Sequence, residues 1–415
     1  MKKLFNRLIL LFLILAMAAG SSGCGSVFSK EKADYAEERS EEKTTADTEK
    51  EDSDTEAENM TDVVKQEAGK FYYNQLSNEE QDVYEAVYDG LQNLEENIKM
   101  DVSDEEEIHK IYKAVLNDHP DIFWCDNSYQ YSKQKLIFTS YALMPRYLFT
   151  EEEIKNKQKE IEKTVESCLS GISQNATDYE KILYIYEYVI NETDYDEAAV
   201  SAGKIGDDQN IDSVFLRKKS VCAGYTRATQ YLLNRLGVFC TYVEGTAESR
   251  GDSHTWNLVI CGGDYYYVDT TWGDPIFSGE VPDQIPESAR INYNYLCCND
   301  EQLFKTHTLE DDFEFDIPKC TKMDWNYYVV NGRYYDHYDG QEIWSVIKDD
   351  ITKKKESSVF KFSDEEVYRQ ACEQITDKYT REGMQLIQQL YGNRTIQCYH
   401  TNSEEEGIVQ IYWEY

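Results

Sequence analysis

Three side chains able to perform nucleophilic chemistry follow one another along a short stretch of the chain: Cys222, His254 and Asp269. Cys222 lies in Ser220-Val221-Cys222-Ala223-Gly224-Tyr225. Ala228, Tyr231, Leu232 and Leu236 then recur at helical spacing, and Gly237 marks a stop. The pattern predicts a helix with the cysteine at its N-terminus. Unpaired backbone N–H groups and the positive end of the dipole stabilise a thiolate there. The same N–H groups can receive the oxyanion of a tetrahedral intermediate.

The other two residues depend on a turn. Gly262-Gly263 separates His254-Thr255-Trp256-Asn257-Leu258-Val259-Ile260 from Tyr265-Tyr266-Tyr267-Val268, which predicts a hairpin closed by two residues. In that register Cys261 pairs with Asp264, and Trp256 faces Asp269. His254 lies two residues from Trp256, so it shares a face with Asp269 on a backbone diagonal of ~7–8 Å. One extra turn residue would put the two on opposite faces. His254 is then the expected base for Cys222, and Asp269 the carboxylate that fixes its tautomer. Tyr225, Trp256 and Trp272 flank this constellation and are candidates for lining a substrate cleft. Asn257 and Asp274 read as supports of the hairpin, and His307 as structural. A metal site on Cys222, His254 and Asp269 has neither a second cluster nor a CxxC behind it. No metal and no cofactor are expected.

Taken together, Ser-Val-Cys-Ala-Gly-Tyr, His-Thr-Trp-Asn and Tyr-Tyr-Val-Asp-Thr-Thr-Trp-Gly-Asp-Pro resemble the transglutaminase-like (transglutaminase/protease-like) superfamily over residues 176–275. The resemblance implies an α+β fold with a papain-like core, in which the Cys helix packs on an antiparallel sheet carrying His and Asp. It also implies Cys222 as nucleophile, His254 as base and Asp269 as orienting acid. Val221 stands where animal transglutaminases place Gln or a similar polar residue, which sets the chain apart from the glutamine-crosslinking members. The expected activity is cysteine-dependent acyl transfer on peptide amides through a thioester, with hydrolysis, as a peptidase or amidase, ahead of crosslinking. The alternative is an inactive module that binds a peptide or glycan.

The positioning elements have their own signals. Ser77/Glu80, Ser103/Glu106, Thr150/Glu153 and Thr177/Glu180 are spaced as capping boxes opening four helices. His119-Pro120 ends the second, because proline disfavours helix in the residue before it. Residues 129–141 alternate weakly, as a strand or hairpin does. Beyond Pro318 the sequence suggests a strand over 326–335, a helix around 363–391 and a final strand pair. The expected division is a mostly helical region at 68–170, the transglutaminase-like domain at 171–312 and a small α/β region at 313–415.

The N-terminus carries Lys2, Lys3 and Arg7 before an apolar run, Leu8 to Ala19, and then Gly20-Ser21-Ser22-Gly23-Cys24. These are the parts of an export signal, and the apolar run falls short of the ~20 residues of a membrane span. Cys24 resembles the lipidated cysteine of a bacterial lipobox, although Ser21 stands where that pattern prefers Leu. Residues 25–67 are acidic and poor in apolar side chains, the composition of a disordered tether. Localisation on the extracytoplasmic face of the membrane through a lipid anchor is expected, with secretion after cleavage of an ordinary signal as the alternative, and a cell-surface peptide or protein as substrate. A net charge of −37, from 79 acidic and 42 basic residues, argues against a nucleic-acid partner. Of 11 cysteines, setting aside Cys24 and Cys222 leaves an odd number, so complete pairing of the rest is impossible. Most are expected as buried free thiols.

Overall fold

Three of the four capping boxes form where their spacing puts them. The hydroxyls of Ser77, Thr150 and Thr177 accept from the N–H three residues on, and the glutamate there returns to the cap. Each such cap is worth about 1 kcal/mol, and together they start the helices Asn78–Gln92, Glu151–Leu169 and Asp178–Glu192. The fourth box is displaced by one residue. Asp104, not Ser103, caps the helix Glu105–Asp118 by accepting from the Glu107 N–H. Asp104 and Glu107 repeat the same spacing one step on, and a carboxylate suits the positive helix end better than a hydroxyl. That helix ends at His119, as Pro120 requires.

The computed structural model describes residues 70–135, 139–201, 206–247, 252–274, 291–310, 315–392 and 398–415. The export signal, Cys24 and the tether expected over 25–67 lie outside the described residues. The weak alternation at 129–141 resolves into a hairpin, Cys125–Lys135 with Thr139–Tyr147, which Ile98–Met100 extends to three antiparallel strands.

The fold is α+β. At its centre the helix Cys222–Arg235 packs on a five-stranded antiparallel sheet, ordered His307–Leu309, Cys240–Ala247, Asp252–Cys261, Asp264–Val268, Leu296–Cys298. Gly237, at φ +75°, closes that helix: its N–H meets Asn234 O and the Val238 N–H meets Leu233 O, the paired bonds of a Schellman stop. One hydrophobic core runs from Tyr72, Val87 and Ile108 in the N-terminal helices, through Ile185 and Val189, to Leu232, Leu233 and Val259. Polar ties cross it as well. Gln230 Nε2 donates to Asn117 O at 2.8 Å, and the Arg227 guanidinium donates to Asn127 and Asn210. The N-terminal helices therefore brace the back of the Cys222 helix.

The last part of the chain has its own core, built on Ile343, Ile347, Phe360, Ile375, Val409 and Trp413. Its four-stranded sheet runs Tyr334–Tyr335, Ser357–Phe362, Ile408–Trp413, Cys398–Ser403, and the first pairing is parallel. The strand expected over 326–335 is mostly a helical turn. Asn326 accepts from the Tyr328 N–H and starts Tyr327–Val330, leaving only Tyr334–Tyr335 extended. Aromatic and β-branched content suggested a strand there, and the local cap overrides it. The helix Gly340–Thr352, capped by Asp339, lay outside the expectation altogether.

Candidate active site

Cys222 is the first residue of its helix, with extended Val221 as cap, and its side chain is half-buried. Two contacts hold this tip against the His254 strand. Thr226 Oγ1 bonds both the Cys222 and the Thr255 carbonyls at 3.0 Å, and Asn257 Nδ2 donates to Thr226 O at 3.0 Å. Asn257 thus supports the hairpin. The Tyr195 hydroxyl lies near enough to Cys222 for the thiol and its backbone to act on it, so a second side chain stands beside the sulfur.

The hairpin has the anticipated register. Cys261 pairs with Asp264, and the ladder continues to Asn257 opposite Val268. Gly262 and Gly263 take φ of +59° and +90°, which a mirror-type two-residue turn demands and which side chains resist. Asp269 then leaves the ladder, its N–H bonding Tyr295 O at 2.9 Å. His254 Nε2 lies 2.7 Å from Asp269 Oδ2, and the Cys222 side chain is near enough to act on the ring. Since Nε2 is taken by the carboxylate, Nδ1 is the nitrogen left for sulfur.

Asp269 has more partners than a triad requires. Oδ1 caps the turn Thr270–Gly273, accepting from Thr271 N at 2.9 Å and Trp272 N at 3.0 Å. Oδ2 receives a second imidazole, His307 Nε2, at 3.0 Å. The sequence reading took His307 as structural, and no short-range register pointed to it, because it lies on the far edge strand, 38 residues beyond Asp269. The face parity of that edge strand, once its pairing is known, is the signal that identifies it.

Burial divides the roles. His254, Asp269 and His307 are 4%, 1% and 2% exposed, so the sulfur is the accessible member of the group. Burial works against charge on His254. The charge and hydrogen bond of Asp269, followed by those of Cys222, overcome it and push the imidazole up to about 10. Burial likewise works against the Asp269 carboxylate, yet His254 and then His307 hold it well below the usual carboxylate range. For His307 burial prevails over the Asp269 bond and lowers the ring, leaving it neutral at pH 7. His254 thus stands as an imidazolium between a sulfur and a carboxylate, with the neutral His307 ring behind the carboxylate.

Two of the three cleft candidates are not at the surface. Tyr225 and Trp256 are wholly buried. The Tyr225 hydroxyl bonds Thr193 O at 2.8 Å and the Asp274 carboxylate at 2.7 Å, tying the Cys helix to the acid turn. The Trp256 ring stacks on His254 at 6.1 Å and fills the sheet face beneath it. Proximity in sequence to Cys222 and His254 places both rings inward, where apolar area is worth most. Trp272 keeps partial exposure, with its ring 6.2 Å from His254 and 4.9 Å from His307. Among the described residues, the donors near enough together to share a metal ion are His254, Asp269 and His307, not Cys222. Hydrogen bonds account for their spacing.

Every described cysteine is a free thiol.

Comparison with known proteins bears on the domain that carries these residues. Residues 166–270 match the model of the transglutaminase-like superfamily, a span that contains Cys222, His254 and Asp269. Human kyphoscoliosis peptidase is 27% identical over 179 residues, 40% of this chain, and the match spans only 25% of that protein's length. Among solved structures, a TGase is 15% identical, with 46% of this chain and 55% of that one covered and a TM-score of 0.27. A cysteine-protease candidate from Cytophaga hutchinsonii is 14% identical, with 36% and 64% covered and a TM-score of 0.23. Both superpose loosely, so the assignment rests on the family match and the fold. Residues 166–270 thus form a transglutaminase-like domain.

Proposed function

We propose that this protein is an exported, lipid-anchored, cysteine-dependent acyl-transfer enzyme that cleaves peptide amides at the cell surface. The observation that carries the reading is the series Cys222, His254, Asp269, with His254 bonded to Asp269 and near the sulfur at a helix tip. The thiolate attacks the amide carbonyl carbon, and the carbonyl π electrons move to oxygen. The Cys222 N–H and the adjacent Tyr195 hydroxyl are the donors at hand for that oxyanion. The tetrahedral centre collapses, the C–N bond breaks, and the His254 imidazolium gives its proton to the leaving amine. The neutral imidazole then takes a proton from water. Hydroxide adds to the thioester, the C–S bond breaks, and a carboxylic acid leaves. Asp269 stays ionised throughout.

A lysine amine in place of water would give crosslinking. Hydrolysis is favoured because Val221 occupies the place of the polar residue found in crosslinking members. The test compares surface proteins of cells carrying wild type with those carrying Cys222→Ala, in the presence of a fluorescent primary amine. New N-termini that depend on Cys222, without amine incorporation, are expected. Incorporation without cleavage would reassign the enzyme to crosslinking. Identical surface proteomes with retained ligand binding would favour the inactive binding module.

A further inference from the structure

His307 reaches the site from the opposite edge of the sheet. Gly245 faces both His254 and Leu309 across neighbouring ladders, and His307 faces Ala247. Side chains two residues apart share a face, so His254 and His307 flank the Cys240–Ala247 strand on one side. Gly245 lets them approach: a Cβ there would run into the Trp256 ring and the Thr308 carbonyl. The two imidazoles are 5.3 Å apart and both address Oδ2 of Asp269.

The tautomer of His307 follows from its partners. An ionised carboxylate oxygen only accepts, so Nε2 carries the proton and donates it to Oδ2 at 3.0 Å. Nδ1 is then an acceptor, and the Thr306 hydroxyl donates to it at 2.8 Å. The Tyr295 hydroxyl reaches Thr306 Oγ1 at 3.3 Å, and Trp256, Trp272 and Tyr295 wall the ring. His307 is thereby a rigid neutral donor, aimed at the oxygen that orients His254.

We infer that His307 is a positioning residue for the acyl-transfer site, pinning Asp269 Oδ2 so that the carboxylate cannot turn away from His254. With Oδ1 held by two backbone N–H groups and Oδ2 by two imidazoles, the carboxylate has one orientation. A neutral donor does this without adding a second positive charge beside the imidazolium. A lysine or arginine at the same place would compete with His254 for Asp269. This inference rests on the reading of Cys222 as an activated nucleophile.

The test is the rate at which iodoacetamide alkylates Cys222 at pH 6 in the full chain, read by mass spectrometry. His307→Leu removes the donor and is expected to slow the reaction about tenfold, as loss of one hydrogen bond to a charged group implies. His307→Gln keeps an N–H within reach of Oδ2 and should stay within about twofold of wild type. Thr306→Val frees the tautomer and should fall between them. The inference is overturned if folded His307→Leu reacts at the wild-type rate, or if His307→Gln is as slow as His307→Leu. Should His307→Leu not fold, a Thr306→Val protein alkylated at the wild-type rate overturns it instead. A wild-type Cys222 no more reactive than Cys372 would sink the nucleophile reading itself, an outcome distinct from a reactive Cys222 indifferent to residue 307.

Discussion

Two buried carboxylates at helix ends behave in opposite ways. Asp118, the last residue of its helix, accepts from the Tyr72 N–H at 3.0 Å, the Tyr73 N–H at 2.9 Å and the Tyr84 hydroxyl at 3.0 Å. All are neutral donors. Burial outweighs them and pushes the acid up to about 7. Asp269, at the start of its turn, is as deeply buried and accepts from two backbone N–H groups and two imidazoles. A protonated imidazole is the difference, and it holds Asp269 far below its ordinary value. Burial and hydrogen-bond count do not separate the two acids. A partner that can carry charge, itself in contact with a half-exposed sulfur, does.

The comparison breaks first at the sulfur. Cys222→Ala should abolish amide cleavage, and His254→Ala should lower it by roughly 10³-fold or more, measured as kcat/KM once a substrate is in hand. Asp269→Asn comes next. Its amide would set an N–H₂ against donors, so turnover should drop by roughly 10²–10⁴-fold while the Oδ1 cap survives. Asp118→Asn should leave turnover near wild type and reduce stability by about 1–3 kcal/mol, because its amide also opposes a donor. Equal losses of turnover in the two aspartate variants would erase the distinction drawn between them.

Stability against pH sharpens the same contrast. The folded pKa of Asp118 is raised, so its contribution is fully present below the unfolded value near 4 and is lost as pH rises through about 7. Asp269 is depressed, so its contribution is present above that unfolded value and is lost as pH falls through the low folded one. Tm between pH 5 and 8 should therefore be flatter in Asp118→Asn than in wild type. The smallest expected effect belongs to Lys361. Its buried amine donates to Asn294 Oδ1 at 2.8 Å and Glu406 O at 2.5 Å, docking the C-terminal sheet beside the turn that holds Asp269. Burial pushes this lysine down to about 8, so the folded state releases its proton early and stability from it grows as pH rises from 8 toward 10. Lys361→Met should remove that rise and change Cys222 alkylation by less than about threefold.

What the sequence made legible was local. A two-glycine turn sets a register, and that register alone put His254 and Asp269 on one face. Helix periodicity with Gly237 as stop put Cys222 at a tip. Capping spacing located the helices, with an error of one residue where Asp104 outcompeted Ser103. Illegible were the features decided by packing between distant segments. His307 joins through an edge strand whose partner is 60 residues earlier. Tyr225 and Trp256 turn inward because the sheet and helix need their area. Asn326 converts an aromatic, strand-like run into a helical turn.

The central claim is that His254 activates Cys222. Its most direct test is residue-resolved iodoacetamide labelling at pH 6 of wild type and His254→Ala, with half-buried Cys372 and Cys398 as internal controls. Wild-type Cys222 should label well ahead of both controls and lose that lead in His254→Ala. Labelling of Cys222 no faster than the controls, or unchanged by the loss of His254, would contradict the account.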